Sequence, residues 1–227
     1  MQLIAEHLSK HYLRKTGSAN HFLAVQPLEL TLEEGTLTAL TGRSGSGKTT
    51  LLQLLAGLLS PSSGRVIAGE TDLYSLSDEA LSRFRNQHIG VIPQGHAAVS
   101  SLTVLENVLL PGQLYGNRSD PTRGQALLER LGMAPLADAS PSELSGGEMR
   151  RMSIARALAA QPELLPADEP TGDLDDENTQ LVLHLLREIA DQGTTVLLVT
   201  HEEAALPYAD RILRMDAGRL TEEAREI

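Results

Sequence analysis

The 227-residue chain contains no cysteine. Disulfides and thiolate metal sites are thereby excluded, and the composition fits a reducing compartment. An excess of positive charge is also missing: 19 Lys and Arg stand against 30 Asp and Glu, a formal net charge of −11. General affinity for nucleic acid rests on Lys and Arg neutralising phosphates, so this balance argues against it. Long hydrophobic runs are lacking too. No stretch approaches the roughly 18 apolar residues of a spanning helix. The start, Met1-Gln2-Leu3-Ile4-Ala5-Glu6, has neither the basic region nor the apolar stretch of a signal peptide. Internal repeats and low-complexity segments are absent. The expectation is a soluble, acidic, cytosolic-type globular chain, large enough to bury a core unaided. Any work at a membrane needs another chain to supply the span.

Alternation of Leu28, Leu30 and Leu32 with Glu29, Thr31 and Glu33 is strand periodicity, and Glu34-Gly35 then makes a turn. Residues 36–41 form a short apolar strand candidate, and the Leu-rich residues 49–59 read as a helix. Residues 61–64 are a turn, and 65–68 and 89–92 are short strand candidates. Helices are expected at 121–131, with Pro at the start, at 147–160 and at 178–190. Residues 194–200, TTVLLVT, carry the strongest strand signal, and 210–215 a further one. Strands alternating with helices imply an α/β fold with a mainly parallel sheet. The middle, about residues 75–160, reads as an inserted helical subdomain.

Gly42-Arg43-Ser44-Gly45-Ser46-Gly47-Lys48-Thr49 matches the G-x-x-x-x-G-K-[ST] phosphate loop in full, after a strand candidate and before a helix candidate. Its glycines let successive N–H groups turn inward as an anion nest, and the helix N-terminus adds partial positive charge. Lys48 supplies a full charge for β/γ-phosphates, and Thr49 offers a hydroxyl to Mg²⁺. Downstream, Leu164-Leu165-Pro166-Ala167-Asp168-Glu169-Pro170 is an apolar run ending in two carboxylates. Alone it would be a strand closing in a solvated acidic turn. Beside a phosphate loop, Asp168 becomes a Mg²⁺ holder and Glu169 a group able to polarise water. Pro166 is unwelcome in a central strand, so the strand is expected to be shortened or bulged there.

Leu144-Ser145-Gly146-Gly147-Glu148 precedes the helix at 147–160. Ser145 and Glu148 have capping-box spacing. A capping box needs no pair of glycines, however. Two glycines at a helix entry let N–H groups approach a second anion. One nucleotide does not need two such sites from one subunit, whereas two subunits placed head-to-tail could complete each other's sites.

These motifs, in this order, with a later His201, resemble the nucleotide-binding subunit of an ATP-binding cassette (ABC) transporter over about residues 3–220. The resemblance implies the ABC ATPase fold, with a P-loop core, an N-terminal antiparallel β-subdomain and a helical subdomain at about 96–160 within one domain spanning 1–227. It implies ATP and Mg²⁺. Tyr12, 36 positions before Lys48, is the implied adenine-stacking aromatic; by itself it could be a partly buried strand Tyr. Residues 42–49 and Thr50 hold phosphates. Gln94 contacts Mg²⁺ and water, Asp168 holds Mg²⁺, and Glu169 is the general base. Ser145, Gly146 and Gly147 contact the γ-phosphate held by the other copy, and Gly172-Asp173-Leu174-Asp175 crosses the dimer interface. His201, otherwise an ordinary polar cap at a strand end, senses the γ-phosphate. Pro93 replaces the usual aromatic before the glutamine, and Pro166 a usual Leu.

Ala167-Asp168-Glu169-Pro170-Thr171-Gly172-Asp173-Leu174-Asp175, the terminal Glu148 of the signature, and Leu102-Thr103-Val104-Leu105-Glu106-Asn107-Val108 with Leu110-Pro111 are similar to one branch. That branch holds the lipoprotein-releasing, macrolide-exporter and cell-division ATPases. The end of the chain at Ile227 implies no C-terminal regulatory domain. The resemblance then implies an ATP-dependent homodimer at the cytoplasmic face of the inner membrane. Its helical subdomain and glutamine loop (about 94–116) would grip a permease that exports or transmits movement. Alternatives are a cell-division-type regulator of a membrane complex, a soluble ABC protein of DNA repair or translation, and a small-molecule kinase.

Overall fold

The computed structural model describes residues 1–13, 21–95, 98–115 and 120–223. The expected glutamine loop includes residues 96–97 and 116, which lie outside them. Strands β1 (Leu3–Leu13), β2 (His21–Leu32), β4 (Ser63–Ala68) and β5 (Thr71–Asp72) form an antiparallel sheet in the order β2-β1-β4-β5. Strands β3 (Leu37–Thr41), β6 (Leu164–Asp168), β7 (Thr195–Val199), β8 (Arg211–Asp216) and β9 (Arg219–Glu223) form a second sheet in the order β6-β7-β3-β8-β9. Its first four strands run parallel and β9 is antiparallel to β8.

Strands β3, β6 and β7 are buried on both faces because both faces are covered. Successive residues sort by their period of two. Leu165, Ala167, Val196 and Leu198 join one core with helices α3 (Val104–Leu114), α4 (Pro121–Arg130), α5 (Gly146–Ala159) and α6 (Asp176–Asp191). Leu164, Leu197 and Val199 join the other, with helix α1 (Lys48–Leu55) and the antiparallel sheet. This explains why TTVLLVT is continuous rather than alternating.

Three expectations need correction. Strand β6 is neither shortened nor bulged at Pro166: its register with β7 is unbroken from Leu164↔Thr195 to Asp168↔Val199. The backbone groups of residues 164, 166 and 168 face away from β7, towards residues 89–92, where Gly90 N–H donates to Leu164 O, Ile92 N–H to Pro166 O and Asp168 N–H to Ile92 O. Pro166 therefore costs the core ladder nothing. The missing donor is the one a parallel ladder would give the Gly90 carbonyl. Residues 89–92 accordingly make isolated bridges at Ile89 and Ile92 rather than the expected strand. The third correction is α1, which stops at Leu55 instead of reaching residue 59. Ala56 caps it, and Gly57, at φ 66°, turns the chain out of the helix.

The middle of the chain is mainly helical, as expected, with α2 (Asp78–His88), α3, α4 and α5. Side chains start these helices: Ser77 caps α2, Thr103 and Glu106 form a capping box on α3, and Asp120 precedes Pro121 on α4. Among the described residues, no helix is long and apolar enough to cross a membrane.

Candidate functional site

The phosphate loop joins β3 to α1 and is clamped between the two sheets. A Cβ at Gly42 would lie 2.2 Å from the Met215 carbonyl of β8, and one at Gly47 would lie 2.2 Å from the Ala24 carbonyl of β2. Both glycines also have positive φ, 142° and 109°, so any side chain meets a wall and a strained backbone together. Lys48 is buried and folds over its own loop, its Nζ donating to Gly42 O at 2.7 Å and Arg43 O at 3.1 Å. A Cβ at Gly45 would meet nothing within 4 Å, which leaves the bowl of the loop open. The Ser46 hydroxyl is buried with no hydrogen-bond partner.

A cleft of about 530 Å³ opens over this loop. Gly42, Ser44, Gly45, Gly47, Lys48, Thr49 and Thr50 form its floor. Arg43 is exposed and contributes its carbonyl, and Ser46 points inward. Tyr12, Phe22 and Ala24 line the cleft as well. Lys10 Nζ lies 5.4 Å from the Tyr12 ring centroid and donates to Ser60 O.

Gln94, Glu169 and His201 close the cleft on one side. Gln94 Nε2 donates to Glu169 Oε2 at 3.1 Å, and His201 Nδ1 lies 3.3 Å from Glu169 Oε1. Glu169 has φ 49°, a left-handed conformation uncommon outside glycine. Its N–H is held by Val199 O and its carbonyl receives Gly172 N–H, so the turn out of β6 is fixed at both ends. Asp168, just before it, is 3% exposed. Burial raises its pKa, opposed by a hydrogen bond from the Thr49 side chain and by the charges of Lys48 and Arg150, while Glu169 adds to the rise. The Thr49 hydroxyl and the Asp168 carboxylate thus meet. Among the described residues no group of three His, Asp or Glu side chains is placed to hold a metal ion by itself. The donors present suit a hard cation that keeps waters and substrate oxygens among its ligands.

Sequence reasoning missed Phe22 and Arg150. Arg150 is 2% exposed and donates to Pro93 O at 2.7 Å and Gln94 O at 2.5 Å. Burial lowers its pKa, and Asp173, Glu169 and Asp168 work the other way. It ties helix α5 to the backbone of Gln94. Its signal was its place on the inner face of α5, in step with the buried Ser153 and Ala157. Phe22 had a signal too, since it is two residues before Ala24 on a strand.

The signature turn lies elsewhere. Ser145, Gly146, Gly147 and Asp175 do not line the cleft. Ser145 caps α5: Glu148 N–H donates to its Oγ at 3.3 Å, while Ser145 N–H and Oγ donate to Glu148 Oε2 at 2.8 and 2.7 Å. The Ser145 side-chain bond leads in holding the Glu148 carboxyl below its ordinary pKa. A Cβ at Gly146 would meet nothing within 4 Å, and one at Gly147 would lie 3.4 Å from Asp173 O and from Leu174 Cδ2. Asp175 caps α6 and accepts from Asn178 N–H at 2.8 Å, the leading cause of its lowered pKa. Ser145, Gly146 and Asp175 are exposed. The turn and the 172–175 loop therefore share one surface of the chain, apart from the cleft.

Residues 25–172 match the family model described as ABC transporter. The ATP-binding protein LolD of the lipoprotein-releasing system of Pseudomonas syringae pv. tomato is 46% identical over 200 residues, covering 86% of this chain and 87% of that protein. YbbA, an ABC transporter ATP-binding protein of Escherichia coli K12, is 41% identical over 219 residues, covering 94% and 96%. The macrolide export ATP-binding/permease protein MacB 2 of Aeromonas hydrophila is 42% identical over 202 residues, which are 88% of this chain but 31% of that protein. The dimeric structure of the ABC transporter cassette MJ0796 superimposes with a TM-score of 0.89 at 30% identity, covering 97% and 98%. The same cassette is known as a dimer in a post-hydrolysis state with ADP and Pi. With the phosphate loop, the paired carboxylates and the two-sheet fold in place, the chain belongs to the ABC transporter family as an ATP-hydrolysing cassette.

Proposed function

We propose that this chain is the ATPase subunit of a transporter whose membrane-spanning permease is a separate polypeptide, working in export or mechanical transmission. Two copies act as a head-to-tail homodimer at the cytoplasmic face of the inner membrane. The observation that carries the dimer is the divided site. The cleft supplies Lys48, Gln94, Glu169 and His201, while the Ser145-Gly146-Gly147 turn sits on another surface with open space at Gly146. Dimeric structures of the similar cassette support a dimer. The LolD and MacB relatives support the branch.

In this reading ATP lies with its base at Tyr12 and its phosphates in residues 42–50. Lys48 exchanges its bonds to Gly42 O and Arg43 O for the β/γ-phosphates. Thr49, Gln94 and Asp168 would hold Mg²⁺, which when bound neutralises charge on the β/γ-oxygens. Glu169 orients water and takes its proton, steered by Gln94 and His201. Lys48 and His201 stabilise the charge spreading over the transferred phosphoryl group. The other copy contributes Ser145, Gly146 and Gly147 to that phosphate and Asp175 to the interface. A groove of about 270 Å³ beside α2 and α3, with exposed Leu58, Leu114 and Tyr115 on its walls, supports a permease contact next to the helical region.

Glu169→Gln is expected to hydrolyse ATP at least about 100-fold more slowly and to form an ATP-dependent dimer by light scattering. Ser145→Arg placed in that variant should abolish the dimer and leave ATP binding by the monomer intact. Lost monomer binding would mean the turn serves its own chain. Purification from detergent-solubilised membranes with ATP trapped should bring a polytopic partner bearing a large extracytoplasmic domain. A partner without one rejects the branch, and repeated absence of any membrane protein rejects the permease.

A further inference from the structure

The chain has six aromatic residues of the Phe, Tyr and Trp class, and two of them meet where β1 and β2 overhang the phosphate loop. Tyr12 and Phe22 are direct cross-strand partners, so their rings project from the same face of the strand pair. Both line the cleft, and each is 39% exposed. Large apolar groups exposed side by side mark a binding surface more than a packing one. Two residues along β2, at a register shift in its pairing with β1, Ala24 is buried, lines the cleft, and sets its carbonyl against Gly47. Strand β2 thus runs along the cleft from the two rings to the phosphate loop. That is the order of base and phosphates in a nucleotide.

We propose that Phe22 is a base-contacting residue, and that Tyr12 and Phe22 together form a two-ring platform that favours purine over pyrimidine nucleotides. Stacking is tolerant of base edges and grows with the apolar area covered. A bicyclic base spans both rings, and a monocyclic base covers one. The platform therefore reads the size of the base rather than its hydrogen-bonding pattern. The inference rests on the assignment of the cleft to ATP and is independent of the dimer and the permease.

The test is calorimetric titration of the full chain with ATP, CTP and inorganic tripolyphosphate, each with Mg²⁺. Phe22→Ala should weaken ATP about tenfold, as loss of one stacking partner does. CTP should weaken less than about threefold on the same scale, and tripolyphosphate should be unchanged. Phe22→Tyr should keep the ATP affinity, which guards against a folding defect in the alanine variant. ATP affinity unchanged in Phe22→Ala overturns the contact. Equal losses for all three ligands also overturn it, because Phe22 would then shape the loop. Equal losses for ATP and CTP alone overturn the size preference. An unmutated, folded chain that fails to bind ATP would reject the cleft's assignment, and this inference with it.

Discussion

Two glycine turns open helices in this chain, and they are built on opposite logic. The phosphate loop before α1 has no side-chain cap, and Gly42 and Gly47 sit at positive φ against the carbonyls of Met215 and Ala24. Its glycines are demanded by the chain's own packing. The signature turn before α5 has a complete Ser145–Glu148 capping box, and Gly146 is neither at positive φ nor near any atom a Cβ would touch. Nothing within the same chain asks for a glycine there. A residue without a side chain, in open space, at the N-terminus of a well-capped helix, is what the proposed approach of a second copy would require.

That contrast can be broken by one pair of substitutions. Gly47→Ala adds backbone strain of about 1–3 kcal/mol and a clash with β2. It is expected to lower Tm by roughly 5–10 °C and to abolish ATP binding, measured by thermal melts and calorimetry. Gly146→Ala is expected to leave Tm unchanged or slightly raised, since Ala is the better helix former. Its steady-state ATPase should fall about tenfold, a loss of ~1.4 kcal/mol in the assembled site. A fall in Tm as large as that of Gly47→Ala would end the distinction between the two turns.

A smaller effect sharpens the comparison on the cleft side. Burial raises the Asp168 pKa, so the folded chain holds that proton more tightly than the unfolded one. Ionisation above the folded value then weakens the fold. Asp168→Asn should therefore raise Tm at neutral pH while abolishing turnover. The gain should shrink as pH falls through the raised folded value and vanish below the ordinary carboxyl value of 3.8, where the native side chain is protonated in both states. A lower Tm at neutral pH would mean that the Thr49 and Lys48 interactions outweigh burial.

Local chemistry was legible where a residue type is tied to a backbone task. The phosphate loop, the Ser145–Glu148 capping box and TTVLLVT could each be read from neighbours in the chain, because turns, caps and strand periodicity are local. Pro166 misled because its effect depends on which edge its nitrogen faces: it faces residues 89–92, not β7. Arg150 escaped because its partners, the carbonyls of Pro93 and Gln94, are 57 and 56 residues away. Phe22 escaped for a similar reason, since its pairing with Tyr12 exists only once β1 and β2 are in register.

The sequence by itself determined the chemistry on offer: a phosphate nest, a lysine, two adjacent carboxylates, a histidine after a strand, and a capped pair of glycines. These follow from residue type and short spacing, which act through local dihedrals and hydrogen bonds. Only the tertiary structure decided which of them meet. It brings Gln94 and His201 onto the two oxygens of Glu169, sets Thr49 against Asp168, and leaves Ser145 to Gly147 on a separate surface. Those meetings depend on parallel strands whose neighbours are distant in sequence. Burial and long-range backbone pairing place them, and no local pattern encodes either.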